Sequence, residues 1–310
     1  MTSRRARALR TALVALVVVI AGAELGLRRI VADTRWLDVM RFEYPPGHRG
    51  ACFGLQPGAR VTFEGAWTRI PPTEIVINAD GLRDAPRDLT RDVPRILMLG
   101  DSQVFGLGVE ADASLPRMVE ARWIVRGYGP VEVINAGVPG YDLPKEVDAL
   151  DPLIARYRPA RVVFVLDPND LTHVPCAWWK NRTRPLLRSS VLARAIYFAL
   201  GGGRPDDPTP ATMRRVLTEE TRRIQALTAP RAIPFSLVAL GPLPEVTPGV
   251  DVIDLVEVHG RLRADPDRYV IPGDGHLNAA GLAELADALT RALSTPARSV
   301  SRSPAGTMNL

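Results

Sequence analysis

The chain has little with which to hold a metal, a nucleic acid or a nucleotide. Only two of its 310 residues are cysteine, Cys52 and Cys176, and four are histidine, His48, His173, His259 and His276. None of these six shows the close ligand spacing of a zinc site, so no metal is expected. Aromatic residues make up 6% of the chain and are not interleaved with a basic stripe, which argues against a nucleic-acid partner despite a formal charge of +5. That charge sits at the ends. Arg4, Arg5, Arg7, Arg10, Arg28 and Arg29 face only Glu24 in the leader, Arg298 and Arg302 lie in the tail, and the body between is close to neutral. Gly106-Leu107-Gly108 is an incomplete dinucleotide fingerprint and reads as part of a turn, so no cofactor is expected either.

What is present begins with one long apolar run, TALVALVVVIAGAELGL, from Thr11 to Leu27 and interrupted only by Glu24. Seventeen helical residues reach about 26 Å, slightly short of a hydrocarbon core of about 30 Å, so an anchor needs little tilt or the help of snorkelling arginines. Residues 1–30 are expected to form an uncleaved membrane anchor. The competing reading is a signal segment cleaved near Ala23, after the small residues Ala21-Gly22-Ala23. In both readings the arginines before the run place the body on the extracytoplasmic, periplasmic side. In that oxidising compartment Cys52 and Cys176 can pair, and two unrelated buried thiols are the alternative.

Residues 31–94, rich in proline, glycine and arginine, read as a lead-in segment with short β-prone runs at 60–63 and 74–77. From Pro94 strand and helix alternate: strands at 95–99, in VEVINAG, at 161–166, at 236–240 and at 251–256; helices at 115–125, 144–157, 191–200, 211–227 and 278–293. Repeated βα units with apolar strands predict an α/β fold with a mainly parallel sheet covered on both faces. Residues 295–310 read as a disordered tail.

Four loops in this region carry polar residues where strands end. Arg95 to Leu99 stops at Gly100-Asp101-Ser102; VEVINAGVPG ends at Asn135-Ala136-Gly137; RVVFVLDPND ends at Asp167, Asn169 and Asp170; and IPGDGHLNAAG places Asp274 and His276 before the last helix. In a parallel sheet these loops open on one edge, where ligands bind. Alone, Ser102 reads better as a helix cap. The company of the other three loops favours a nucleophile.

GDSQ, NAGVPG, DPND and DGHLN, in this order, resemble the four sequence blocks of the SGNH hydrolases, the GDSL esterase and lipase superfamily, over residues 95–294. INADGLRD at 77–84 resembles the lead-in of membrane-anchored bacterial members. The resemblance implies a three-layer α/β/α sandwich with a flavodoxin-like five-stranded sheet. It implies Ser102 as nucleophile, His276 as base and Asp274 as its orienting carboxylate. Ser102 N–H, Gly137 N–H and the Asn169 side chain would form the oxyanion hole. Two departures stand out: the family more often spaces its pair Asp-x-x-His, where Gly273 stands here, and its third block commonly opens with glycine instead of Asp167. Gly100-x-Ser102 also lacks the second glycine of an α/β-hydrolase elbow, at Val104.

A serine hydroxyl becomes nucleophilic only when an imidazole takes its proton, and the imidazole needs a carboxylate to hold its tautomer. The resemblance therefore implies an exported serine esterase acting on acyl esters, acetyl among them, of a glycan or lipid. An O-acyltransferase using the same site, or a silent carbohydrate-binding relative, are the alternatives. His173 is a candidate pocket residue, and Trp178 and Trp179 are candidates for stacking on a sugar ring or resting at the membrane interface, with a lid or core role equally open. His48 and His259 read as ordinary polar residues, and Asp101 and Asp170 as partners of local backbone.

Overall fold

The computed structural model describes residues 2–30, 40–41, 53–63, 70–172, 186, 190–200 and 209–295. Cys52, His173, Cys176, Trp178, Trp179 and the tail from 296 lie outside them. Helix α1 (Thr2–Ile30) comes first, and its span Ala6–Arg28 is apolar enough to cross a membrane with none of it buried in the protein. At about 1.5 Å per residue, the 23 residues of that span reach beyond the hydrocarbon core. The helix thus removes the shortfall that Thr11–Leu27 alone implies.

The lead-in supplies β1 (Met40–Arg41) paired with β2 (Gly54–Leu55), and β3 (Arg60–Phe63) paired antiparallel with β4 (Thr73–Val76). Leu55, Phe63, Ile70, Ile75 and Ile77 pack against Phe105, Val138, Tyr141 and Ile271 of the body, beside the carboxyl edge of the main sheet.

That sheet consists of β5 (Arg95–Gly100), β6 (Glu132–Gly137), β7 (Arg161–Leu166), β8 (Phe235–Ala239) and β9 (Asp251–Asp254). Its order is β6-β5-β7-β8-β9 and every pair is parallel. The reason is legible along β5. Ile96 and Met98 face one core with Val133, Val163 and Val238; Leu97 and Leu99 face the other with Ile134, Phe164 and Leu237. A strand apolar on both sides must be covered on both sides. Helices α3 (Leu115–Val125), α7 (Val256–Ala264) and α9 (Ala279–Ser294) cover the first face, and α4 (Leu143–Tyr157) and α6 (Pro210–Thr228) the second. This is the three-layer α/β/α sandwich with a flavodoxin-like sheet. The remaining helices are α2 (Ser102–Phe105), α5 (Val191–Ala199) and α8 (Pro266–Tyr269).

Two local expectations shift. The run at 251–256 ends as a strand at Asp254, and α7, which has no counterpart in the sequence reading, begins at Val256. Only His259 and Leu262 of α7 are buried, and Gly260 interrupts it, so its amphipathic signal is weak.

From β5 the chain crosses to β6 on one side, and then to β7 on the other. Register aligns Gly100 with Gly137 and with Val165, so the three strands end level. The crevice lies between the ends of β5 and β7, the switch point at which open α/β sheets bind ligands.

Candidate active site

Ser102 is the first residue of α2, on the turn that leaves β5. Asp101 caps that helix, accepting Gln103 N–H at 2.8 Å, and Gly106 ends it with φ +80°. Four residues cannot hold their own position, and three neighbours brace them. A Cβ on Gly137 would stand 2.3 Å from Phe105 N, so the end of β6 lies directly against the α2 backbone. Asn135, fully buried, donates through Nδ2 to Phe105 O at 3.4 Å. Arg83, 1% exposed, reaches in from the lead-in and donates to the carbonyls of Phe105, Gly106, Val109 and Glu74, with its guanidinium 5.0 Å from the Phe105 ring centroid. Burial pulls the Arg83 pKa down to about 10. Asp84, beside it, accepts Asn135 N–H at 3.4 Å and pairs with Arg87. The INADGLRD segment is thus the brace behind the serine turn.

Ser102 Oγ donates to His276 Nε2 at 2.6 Å, and His276 Nδ1 donates to Asp274 Oδ1. Asp274 and His276 share the loop before α9, fastened by Ile271 N–H to His276 O at 2.8 Å and Asp274 N–H to Ile271 O at 3.1 Å. Gly275, between them, has φ +93°, a conformation that turns the chain sharply enough for adjacent-but-one side chains to meet. The two-residue spacing therefore puts carboxylate and imidazole in contact. Nδ1 carries the proton in this arrangement, which leaves Nε2 free to accept from the serine.

These three side chains border a cavity of about 650 Å³, also lined by Asp101, Gly140, Asn169, His259 and Arg263. That volume lies within the range of small-molecule sites. Asn169 sits in the turn after β7, where Asp170 Oδ2 accepts Asp167 N–H at 2.7 Å. Gly137 does not line the cavity: its N–H is donated to Asn135 Oδ1 at 3.0 Å. Gly140 does, from a turn closed by Tyr141 N–H to Val138 O at 3.0 Å, and its own N–H has no acceptor among the described residues.

Two features escaped the sequence reading. His259, 4% exposed, donates from Nδ1 to Leu240 O at 2.9 Å, while its Nε2 is buried with no partner among the described residues. Burial, the leading cause, lowers its pKa and favours the neutral ring, so the cavity wall carries an unmatched acceptor. Nothing marked it in the sequence, because α7 itself was not legible. Beneath the serine turn, Asp101, Glu146 and Asp170 form a buried acidic group. Burial first, and then the charge of Asp101, push Glu146 and Asp170 well above the usual carboxylate range, and burial raises Asp101. Both Glu146 oxygens and Asp170 Oδ1 lack partners among the described residues.

No protein-family model and no curated protein matches the chain. Among solved structures it is similar to the psychrotrophic esterase EstA from Pseudoalteromonas sp. (15% identity, 65% of this chain and 99% of that one, TM-score 0.42). It is similar also to a lipase/acylhydrolase from Enterococcus faecalis (19%, 65% and 96%, TM-score 0.42). A third is the Clostridium thermocellum family 3 carbohydrate esterase (17%, 66% and 100%, TM-score 0.41).

Proposed function

We propose that the chain is an SGNH-type serine ester hydrolase, anchored by α1 with its body on the extracytoplasmic side, that removes short acyl groups from a glycan or lipid. The observation that carries this reading is the hydrogen-bonded series Asp274, His276, Ser102 at the edge of the cavity. Ser102 Oγ attacks the ester carbonyl and passes its proton to His276 Nε2, while Asp274 stabilises the imidazolium. The negative oxygen is received by Ser102 N–H, by the Asn169 side-chain amide and by Gly140 N–H, which takes the role that the resemblance assigns to Gly137. As the tetrahedral adduct collapses, His276 returns the proton to the departing alcohol oxygen. Water, deprotonated by the same imidazole, then releases the acid and restores Ser102.

Asp101, Asp167, His259 and Arg263 give the cavity a polar wall, which suits a hydroxyl-bearing alcohol and a short acyl group better than a long chain. No step needs a metal or cofactor. The test is the full chain in detergent with p-nitrophenyl acetate, longer p-nitrophenyl esters and an acetylated oligosaccharide. Acetate release from the acetyl esters, falling with acyl length, is the expected result. Absence of turnover by the folded protein overturns the reading, and acetyl recovered on an added sugar acceptor instead of in solution makes it an O-acyltransferase.

A further inference from the structure

Glu24 breaks the apolar run of α1, and its surroundings give it a purpose. Its carboxylate accepts Ser190 Oγ–H at 2.8 Å, Val191 N–H at 3.0 Å and Leu192 N–H at 2.9 Å, and pairs with Arg28 at 2.7 Å. Ser190, Val191 and Leu192 are the start of α5, whose first N–H groups have no partner within their own helix. A carboxylate from a different helix therefore caps α5, and its charge suits the positive end of the helix. These four donors satisfy both oxygens of the Glu24 carboxylate, which is how an acidic side chain can persist at the edge of a membrane-crossing segment.

The helix so held is apolar and only partly covered. Val191 is buried, whereas Ile196 is 50% exposed, Leu200 82% and, just before the helix, Leu186 58%. Leu13, Val17 and Ile20 of α1 are likewise exposed, so both helices carry apolar side chains that the described residues leave bare. Its depth can be placed. Val17 is the middle of the span Ala6–Arg28, and Glu24 lies seven residues on, about 10 Å along the axis. That is about 5 Å inside the boundary of a hydrocarbon core about 30 Å thick. An interfacial amphipathic helix buries its apolar face to a depth of about 5–10 Å.

We propose that α5 is an interfacial helix: it lies in the outer surface of the bilayer that α1 crosses, docked to α1 through Glu24, and so fixes the height and orientation of the cavity above the lipid. The occupant of the exposed α5 face is phospholipid. This rests on the reading of α1 as an uncleaved anchor, and it implies that the ester substrate is presented at the membrane surface.

The test places the photocrosslinker p-benzoylphenylalanine singly at Val17, Ile196, Leu200 and Val125 in the full chain, reconstituted in phosphatidylethanolamine and phosphatidylglycerol vesicles. Phospholipid adducts are expected at 17, 196 and 200, and none at 125, which is exposed on the body. Adducts at 17 without adducts at 196 and 200, or crosslinks from these to a second copy of the chain, overturn the proposal and leave the anchor standing. Absence of lipid at 17 overturns the anchor and this proposal with it. Glu24→Ala should raise hydrogen exchange at Val191 and Leu192 at least tenfold, Glu24→Gln less, with turnover of a soluble ester unchanged in both. Equal protection in Glu24→Ala overturns the docking role of Glu24.

Discussion

Ser102 Oγ and His276 Nε2 stand 2.6 Å apart although 174 residues separate them. On the proposed reading the pair acts as one unit, so Ser102→Ala and His276→Ala are each expected to remove nearly all ester turnover, and the double variant to lose little more. Circular dichroism should show both folded. Asp274→Asn should also lose most activity, since the imidazole then favours the wrong tautomer. Steady-state kinetics on p-nitrophenyl acetate decides all four, and turnover surviving Ser102→Ala removes the nucleophile assignment.

Gly137 and Asn169 separate under substitution, the first through packing and the second through turnover. Gly137→Ala drives a methyl group into the α2 backbone, with contacts of 2.3 Å to Phe105 N and 2.7 Å to Val104 C, and is expected to lower stability by about 1–3 kcal/mol or more, read as a fall in Tm. On the proposed reading, Asn169→Ala lowers kcat by about 100-fold with little effect on KM, as the loss of an oxyanion donor does. A KM effect alone would make Asn169 a ground-state contact.

Arg83 is predicted to matter for both folding and turnover. Arg83→Lys keeps a positive charge but not the fork that spans the carbonyls of Phe105, Gly106, Val109 and Glu74. A cost of about 2–3 kcal/mol is expected from the abandoned buried acceptors, measured by urea denaturation. A lower kcat in the folded fraction should accompany it, because α2 loses its brace.

Glu146 makes stability depend on pH. Its native pKa is raised above the ordinary value, so the folded state binds more protons than the unfolded state across that interval. Stability is then fully present below about pH 4.3, the ordinary glutamate pKa, and declines as pH rises through the native one. Glu146→Gln keeps the shape without the titration and should flatten the fall in Tm between acidic and alkaline buffers. A parallel pH profile in the two proteins refutes this origin.

On the proposed reading, His259, which lines the cavity with an Nε2 that has no partner among the described residues, is expected to meet the alcohol side of the substrate. His259→Phe is expected to raise KM for a hydroxyl-rich acetyl ester by about 2- to 10-fold, the worth of one neutral hydrogen bond, while leaving KM for p-nitrophenyl acetate near its original value. Equal effects on both esters would point to altered packing.

The succession of strands, the two-sided apolar character of Leu97 to Leu99 and the four polar loops were all legible in the sequence, because strand burial and turn chemistry are local properties of a few consecutive residues. Ser102, Asn169, Asp274 and His276 could be singled out on the same ground. What the amides of Gly137 and Gly140 do could not, since both stand in one glycine-rich loop and only the packing of β6 against α2 commits the first to Asn135. Nor could the role of Arg83, whose acceptors are main-chain carbonyls up to 26 residues away. His259 enters the cavity wall on a helix too weakly patterned to foresee, and Glu24, an interruption in the apolar run, becomes the cap of a helix 167 residues further on. These assignments depend on which surfaces meet when distant segments pack, and that is decided by the tertiary structure alone.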